Sequence, residues 1–181
     1  MCGIIGYVGD TDRTLPALLG GLANLEYRGY DSAGVAVGGD TVRVEKRSGQ
    51  LDALEAALDG LDTPLGGPVG VGHTRWSTHG PPTDANAHPH TDAAGRVAVV
   101  HNGIIENYRT LRDELEAEGV TFASETDTEV VPHLVARELR AGHDPEAAVR
   151  AATDRLDGSY ALAVVVAGTD ALFAVRHGSP L

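Results

Sequence analysis

The sequence predicts an α+β domain in which antiparallel strands and helices occupy separate layers. Three observations carry this. Short β-branched runs come in pairs separated by turn residues, and stretches with apolar residues three and four apart also come in groups, so the pattern is not a regular alternating βαβ wind. The chain has 181 residues, 42% hydrophobic and 22% charged, which suits one folded domain with a sizeable core and argues against disorder.

The elements follow in order. Residues 3–8 (GIIGYV) form a short apolar run with β-branched members, the mark of a buried strand. Residues 11–25 predict a helix, with Thr11 or Asp12 as N-cap and Pro16 in the first turn; Leu15, Leu18, Leu19, Leu22 and Leu25 keep to one side. Residues 33–37 and 41–46 read as strands around Gly38-Gly39-Asp40, a hairpin signal. Residues 51–61 carry Leu51, Leu54, Leu58 and Leu61 at helical spacing, and 69–73 is the next strand. Residues 74–95 have no periodicity and contain Pro81, Pro82 and Pro89; a loop this long inside a domain is usually functional or disordered. A strand is predicted over 96–101, a helix over 106–118 closed by Gly119, and a short extended piece over 120–123. A further helix is predicted over 127–140, on the stripe Val130, Val131, Leu134, Val135 and Leu139. Asp144-Pro145 opens another, with Asp as cap and Pro at the first helical position. Residues 160–167 and 171–176 close the chain as a hairpin.

Charge narrows the function. Asp plus Glu number 26 against 14 basic residues, a formal charge of -12. Such a surface repels a phosphate backbone, so nucleic acid is a poor partner, and an anionic membrane surface is disfavoured for the same reason. Only Lys46 is lysine; the other 13 basic residues are arginine. Adaptation to a high-salt cytoplasm and a GC-rich genome both produce this pattern. The single cysteine, Cys2, excludes an intrachain disulfide. The N-terminal segment has no secretory pattern and no apolar run approaches the ~20 residues of a membrane span, so a cytoplasmic location is expected.

Four features carry chemistry. Cys2 follows Met1, and a methionine before a small residue is normally trimmed. That would leave Cys2 N-terminal, with its own α-amine, of ordinary pKa about 7.7–8.0, beside the thiol as a general base. Without trimming, or as a small buried hydrophobe, Cys2 would be inert. Arg75, between a strand end and a Gly/Pro-rich loop, offers a fork matching a carboxylate. Its neighbour Trp76 is either core or lid. Asn102-Gly103 closes an apolar strand; it reads as a turn, or as an amide and an N–H that together could bind an oxyanion. Ser124 to Glu129 reads as a capped, acidic helix start, in which Asp127 could pair with a substrate ammonium. Histidines 73, 79, 88, 90 and 101 cluster in sequence but match no tight ligand spacing, so no metal or other cofactor is expected. An amino acid with a side-chain amide has a carboxylate for Arg75, an ammonium for Asp127 and an acyl group for Cys2.

The wording of several stretches is also familiar. Cys2 to Gly6, Leu25 to Gly34 (LEYRGYDSAG), His73 to Gly80 (HTRWSTHG), Asn86 to His90, His101 to Asn107 (HNGIIEN) and Ser124 to Glu129 run through nearly the whole chain. Together they make it resemble the glutaminase domain of the glucosamine-6-phosphate synthase family, the glutamine–fructose-6-phosphate aminotransferases. The Tyr-Arg-Gly-Tyr-Asp-Ser and His-Thr-Arg-Trp wording resembles this hexosamine branch of the class-II glutamine amidotransferases more than its phosphoribosylamine or asparagine branches.

The resemblance implies an N-terminal-nucleophile hydrolase fold, a four-layer αββα sandwich of two antiparallel sheets, over residues 1–181. It implies Cys2 as nucleophile with its amine as base, and Asn102 with Gly103 as oxyanion hole. Arg75 and Asp127 would hold the glutamine head group, with Thr78 and His79 lining that pocket. Trp76 would gate ammonia, and Arg28 would support the site. The activity implied is hydrolysis of glutamine through a cysteine thioester, the ammonia-donating half of hexosamine synthesis. The partner implied is a sugar-phosphate isomerase region, which these 181 residues do not include. A non-catalytic glutamine-binding regulatory module is the alternative if Met1 is retained. A free-standing domain serving a separate synthase subunit is also compatible, and homo-oligomerisation is left open.

Overall fold

The computed structural model describes residues 2–29, 31–76 and 81–181. Among them are eight strands and five α-helices. Strands β1 (Gly3–Val8), β2 (Ser32–Gly38), β3 (Val42–Ser48) and β4 (Val69–Arg75) form one antiparallel sheet in the order β1-β4-β2-β3. Strands β5 (His90–Thr91), β6 (Val97–Ile105), β7 (Gly158–Val166) and β8 (Leu172–His177) form a second in the order β5-β6-β7-β8, also antiparallel. Helices α1 (Thr11–Leu25) and α2 (Leu51–Asp59) cover the outer face of the first sheet. Helices α3 (Tyr108–Ala117), α4 (Val130–Arg140) and α5 (Pro145–Thr153) cover the outer face of the second.

Side-chain alternation produces the four layers, because successive residues of a strand point to opposite faces. On β2, Val35 and Val37 pack with Leu18, Leu22 and Leu54 of the helices, while Ala36 faces the other sheet. On β6, Val97 and Val99 join Leu111, Leu115 and Leu134, while Ala98 and Val100 face inward. On β7, Leu162, Val164 and Val166 meet the helices, and Ala163 and Val165 meet the first sheet. The strands are thus apolar on both faces, which explains why they read as continuous runs. Helix α1 starts after Asp10, without a side-chain cap, and Pro16 lies inside it, past the first turn. Burial of Leu18 and Leu22 holds it instead, each leucine contributing about 1.5–3 kcal/mol.

Several expected boundaries move. Strand β6 runs four residues beyond its expected end and carries Asn102-Gly103 as strand, not turn; pairing with β7 continues unbroken to Ile105 opposite Gly158, so the sheet ladder overrides the local turn preference. The two-residue β5 lies inside the long loop, and residues 120–123 form no strand. Helix α2 stops at Asp59, and α3 starts at Tyr108. Helix α4 starts at Val130, three residues late. The carboxylate of Glu129 accepts hydrogen bonds from Ala123 N (2.8 Å), Ser124 N (2.7 Å) and Ser124 Oγ (2.5 Å), binding 124–129 as a loop in competition with the helix. Asp144 caps α5 as expected, accepting from Ala147 N at 2.9 Å.

Candidate active site

The register of the first sheet brings the N-terminus to Arg75. Gly3 pairs with Thr74, so Cys2 enters the sheet beside the end of β4. The backbone N–H of Trp76 donates to Cys2 Sγ at 3.2 Å, and Sγ lies 3.5 Å from Trp76 O. Cys2 is half-buried, not a sealed core thiol. Arg75 is buried at 4% exposure, which excludes a solvated surface charge. Burial lowers the pKa of its guanidinium, while Cys2, Asp31 and Asp127 oppose that shift as electrostatic partners. Trp76 is not core: 43% of it is exposed.

The second sheet supplies the opposite wall. Asn102 Nδ2 donates to the backbone O of Cys2 at 3.3 Å. Gly103 has φ +129°, and a Cβ there would overlap Ser159 O, so only glycine fits this stretch of β6. Asp127, on the loop before α4, is anchored by Ile105 N, which donates to Oδ2 at 2.8 Å. Cys2, Arg75, Trp76, Asn102, Gly103 and Asp127 line one cavity of about 710 Å³. Thr78 and His79 lie outside the described residues, as does the side chain of Arg28.

A buried polar seam, not foreseen from the sequence as a unit, lies behind this wall. His73, His88, His90 and His101 are all buried; the His73 and His88 rings are 4.4 Å apart and the His88 and His90 rings 4.7 Å. Thr128 Oγ1 bridges His88 Nε2 (2.9 Å) and His101 Nδ1 (2.8 Å), and Thr126 Oγ1 meets His90 Nε2 at 3.0 Å. Burial lowers the pKa of all four, that of His73 to about 4, so they are neutral near pH 7. No group of three or more His, Cys, Asp or Glu among the described residues is arranged to hold a metal ion. His88, His101, Thr126 and Thr128 also line the cavity. The sequence signal for them was present, in the histidine run and in the Ser-Glu-Thr-Asp-Thr-Glu segment, but it read as spacing without ligands and as helix caps.

The sole lysine has a local task. Lys46 Nζ donates to Ala87 O at 2.7 Å and Ala85 O at 3.2 Å, tying the segment before His88 to β3. Burial lowers its pKa to about 8, against the pull of Glu129 and Asp84. The segment crosses β2 at Gly34, where a Cβ would overlap His88 O.

A family model described as a glutamine amidotransferase domain matches residues 73–179. The chain belongs to the glutamine amidotransferase domain family. Curated relatives agree over its whole length. It is 58% identical to a glutamine–fructose-6-phosphate aminotransferase (isomerizing) of Symbiobacterium thermophilum, over 100% of this chain and 29% of that protein. It is 55% identical to proteins of the same name from Halobacterium salinarum, covering 29% of that protein, and Aquifex aeolicus, covering 30%. The chain therefore spans under a third of the length of these relatives. A solved glutamine phosphoribosylpyrophosphate amidotransferase from B. subtilis superposes with a TM-score of 0.72 at 25% identity, covering 92% of this chain and 35% of that one. The allosteric regulatory enzyme of purine biosynthesis superposes with a TM-score of 0.75, at 25% identity over 91% of this chain and 35% of its own. The two antiparallel sheets between helical layers are thus the N-terminal-nucleophile sandwich of the amidotransferases. No helix among the described residues is long and apolar enough to cross a membrane.

Proposed function

We propose that this amidotransferase domain hydrolyses the side-chain amide of glutamine to glutamate and ammonia. The observation that carries the reading is the convergence of Cys2, Arg75, Asn102, Gly103 and Asp127 on one cavity, from two different sheets and the loop before α4. With Met1 removed, the free amine of Cys2 takes the thiol proton as sulfur attacks the amide carbon. The C=O electron pair moves to oxygen, and this oxyanion accepts from Asn102 Nδ2 and Gly103 N. The protonated amine then gives its proton to the departing nitrogen, ammonia leaves, and a γ-glutamyl thioester remains. Water, deprotonated by the same amine, adds to the thioester; collapse releases glutamate and restores the thiol.

Arg75 pairs with the substrate carboxylate and Asp127 with its ammonium, so binding energy from the unreactive end orients the amide. Thr78 and His79 complete that pocket, Trp76 gates the passage of ammonia, and Arg28 supports the site. In the full-length protein, ammonia passes to a sugar-phosphate isomerase region that makes glucosamine 6-phosphate from fructose 6-phosphate. The names and the greater length of the curated relatives support that assignment, and the cytoplasm is the compartment that goes with this reading.

The test joins intact mass to a glutaminase assay. Protein with a free Cys2 amine is expected to release glutamate and to gain one covalent adduct on Cys2 from a glutamine-like electrophile. Cys2→Ala is expected to abolish both while keeping the fold. Full activity in Cys2→Ala would overturn the reading.

A further inference from the structure

We infer that His73 is a positioning residue that sets which way the Asn102 amide faces, and so delivers an N–H rather than an oxygen to the reacting carbonyl. This rests on the oxyanion role proposed for Asn102. His73 Nε2 lies 3.1 Å from the backbone O of His101 and 3.0 Å from the Asn102 side chain. A backbone carbonyl only accepts, and unlike a side-chain amide it has no flipped alternative. Nε2 must therefore carry the hydrogen. With an N–H aimed at it, the Asn102 amide turns Oδ1 toward His73, because the flipped amide would set N–H against N–H. The opposite end, Nδ2, is then committed to the Cys2 side, where it reaches Cys2 O at 3.3 Å. A flipped amide would present a lone pair to the developing oxyanion and repel it.

The ring is held for this task. His73 is 1% exposed, lies on β4 across from β6, and packs against the His88 ring at a 31° tilt. Burial keeps it neutral at ordinary pH, so the Nε2–H tautomer persists. His73 makes no demand on the amino-acid head group, which Arg75 and Asp127 hold. Its loss should act on the chemical step and spare binding.

The experiment compares His73→Phe, which keeps a ring and loses the donor, with His73→Gln, whose amide N–H can stand where Nε2–H stood. Both are made in protein shown by mass to carry a free Cys2. His73→Phe is expected to lower kcat by about 10–100-fold, somewhat less than deletion of an oxyanion donor. KM for glutamine and inhibition by glutamate should stay within about twofold. His73→Gln should regain most of the loss. In an Asn102→Ala background the His73 change should cost almost nothing more, as two residues acting through one hydrogen bond require. If His73→Phe does not fold, His73→Asn, whose shorter amide falls short of Asn102, takes its place. Wild-type kcat in the donor-free variant overturns the inference, and so does a His73 loss that is undiminished when Asn102 is already alanine. A wild-type chain with free Cys2 that cannot hydrolyse glutamine overturns instead the glutaminase reading on which this rests.

Discussion

The layer between the two sheets has two ends built from the same strands. At one end it is dry and small: Ala36, Val69, Val71, Ala98, Val100, Ala163 and Val165 interlock. At the other it is polar: His73 and His88 fill it, Thr128 links His88 to His101 behind it, and Cys2, Arg75 and Asn102 open onto the cavity. The period-two alternation of a strand connects them. On β4 the inward positions run Val69, Val71, His73, Arg75; on β6 they run Ala98, Val100, Asn102. The other face of β4 tells the complementary story. Cβ atoms at Gly70 and Gly72 would crowd Leu18 and Leu22, and Thr74 Oγ1 reaches Leu25 O at 3.4 Å, so that face is given wholly to α1. A single strand therefore anchors in the core at one end and brings Arg75 to the cavity wall at the other.

The largest expected effect comes from the polar end. Arg75→Ala and Asp127→Ala should each lower kcat/KM for glutamine by two or more orders of magnitude, since each leaves a substrate charge unpaired in a confined site. Circular dichroism should report a folded protein in both cases. Parent-like efficiency in either variant would remove that residue from the head-group assignment.

Acid should separate the two ends next. His73, His88, His90 and His101 have folded pKa values below the ordinary value of about 6.5, chiefly through burial. The unfolded chain therefore binds more protons below pH 6.5. The stability these residues contribute is complete above pH 6.5 and is lost as pH falls below it, down to about 4 for His73. Each histidine kept neutral steepens the loss by about 1.4 kcal/mol per pH unit. Glu129 adds a later phase. Burial would raise its pKa, but His133 and the hydrogen bonds from Ala123 and Ser124 hold it at about 2, so its contribution is lost below about pH 4.5. Urea unfolding at pH 7.5, 6.5 and 5.5 checks this; equal midpoints at all three would contradict it.

The dry end should respond in the opposite sense, with stability changing and catalysis unmoved. Val165→Ala removes two buried carbons and leaves a void, costing about 2 kcal/mol. That corresponds to a fall in Tm of roughly 4–8 °C for a chain of this size. The kcat measured below the transition should match the parent, and a large fall in kcat would show that the two ends are mechanically coupled.

Most of the dry end was legible in the sequence, because two-faced burial leaves an unmistakable run of valines and alanines, and leucine spacing marks α1 and α2. The chemical end was legible only as single residues. Cys2 and Arg75 stood out by position and type. Asn102-Gly103 looked like a turn because Asn-Gly usually is one; nothing local reveals that β7 pairs past it. Asp127 reads as a helix residue because the helix stripe begins nearby, while the competing grip of Glu129 on the backbone of residues 123–124 leaves no periodicity to mark it. The histidine seam depends on His73, His88, His90 and His101 arriving from two strands of different sheets and the loop that ends in β5, which no spacing rule within one element can express.

The smallest effect concerns neither end but the surface enclosing both. The charge of -12 sets carboxylates against one another across the exterior, while the inter-sheet layer is out of reach of mobile ions. Raising salt from 0.1 M to 1 M shortens the Debye length from about 10 Å to about 3 Å, which weakens that repulsion. Beyond this range screening is nearly complete, and a further gain would come from stronger burial of apolar surface. Lys46 is consistent with such an exterior, since its ammonium is engaged by the carbonyls of Ala85 and Ala87 and the residue is half-buried. Tm is expected to rise by several degrees between low salt and molar KCl. The rise should be nearly equal in the parent and in Val165→Ala, so that their difference stays constant, because screening acts on the outside and the void is inside. A flat Tm would leave genome composition as the source of the arginine bias. A salt-dependent gap between the two proteins would mean that surface charge strains the inter-sheet layer itself.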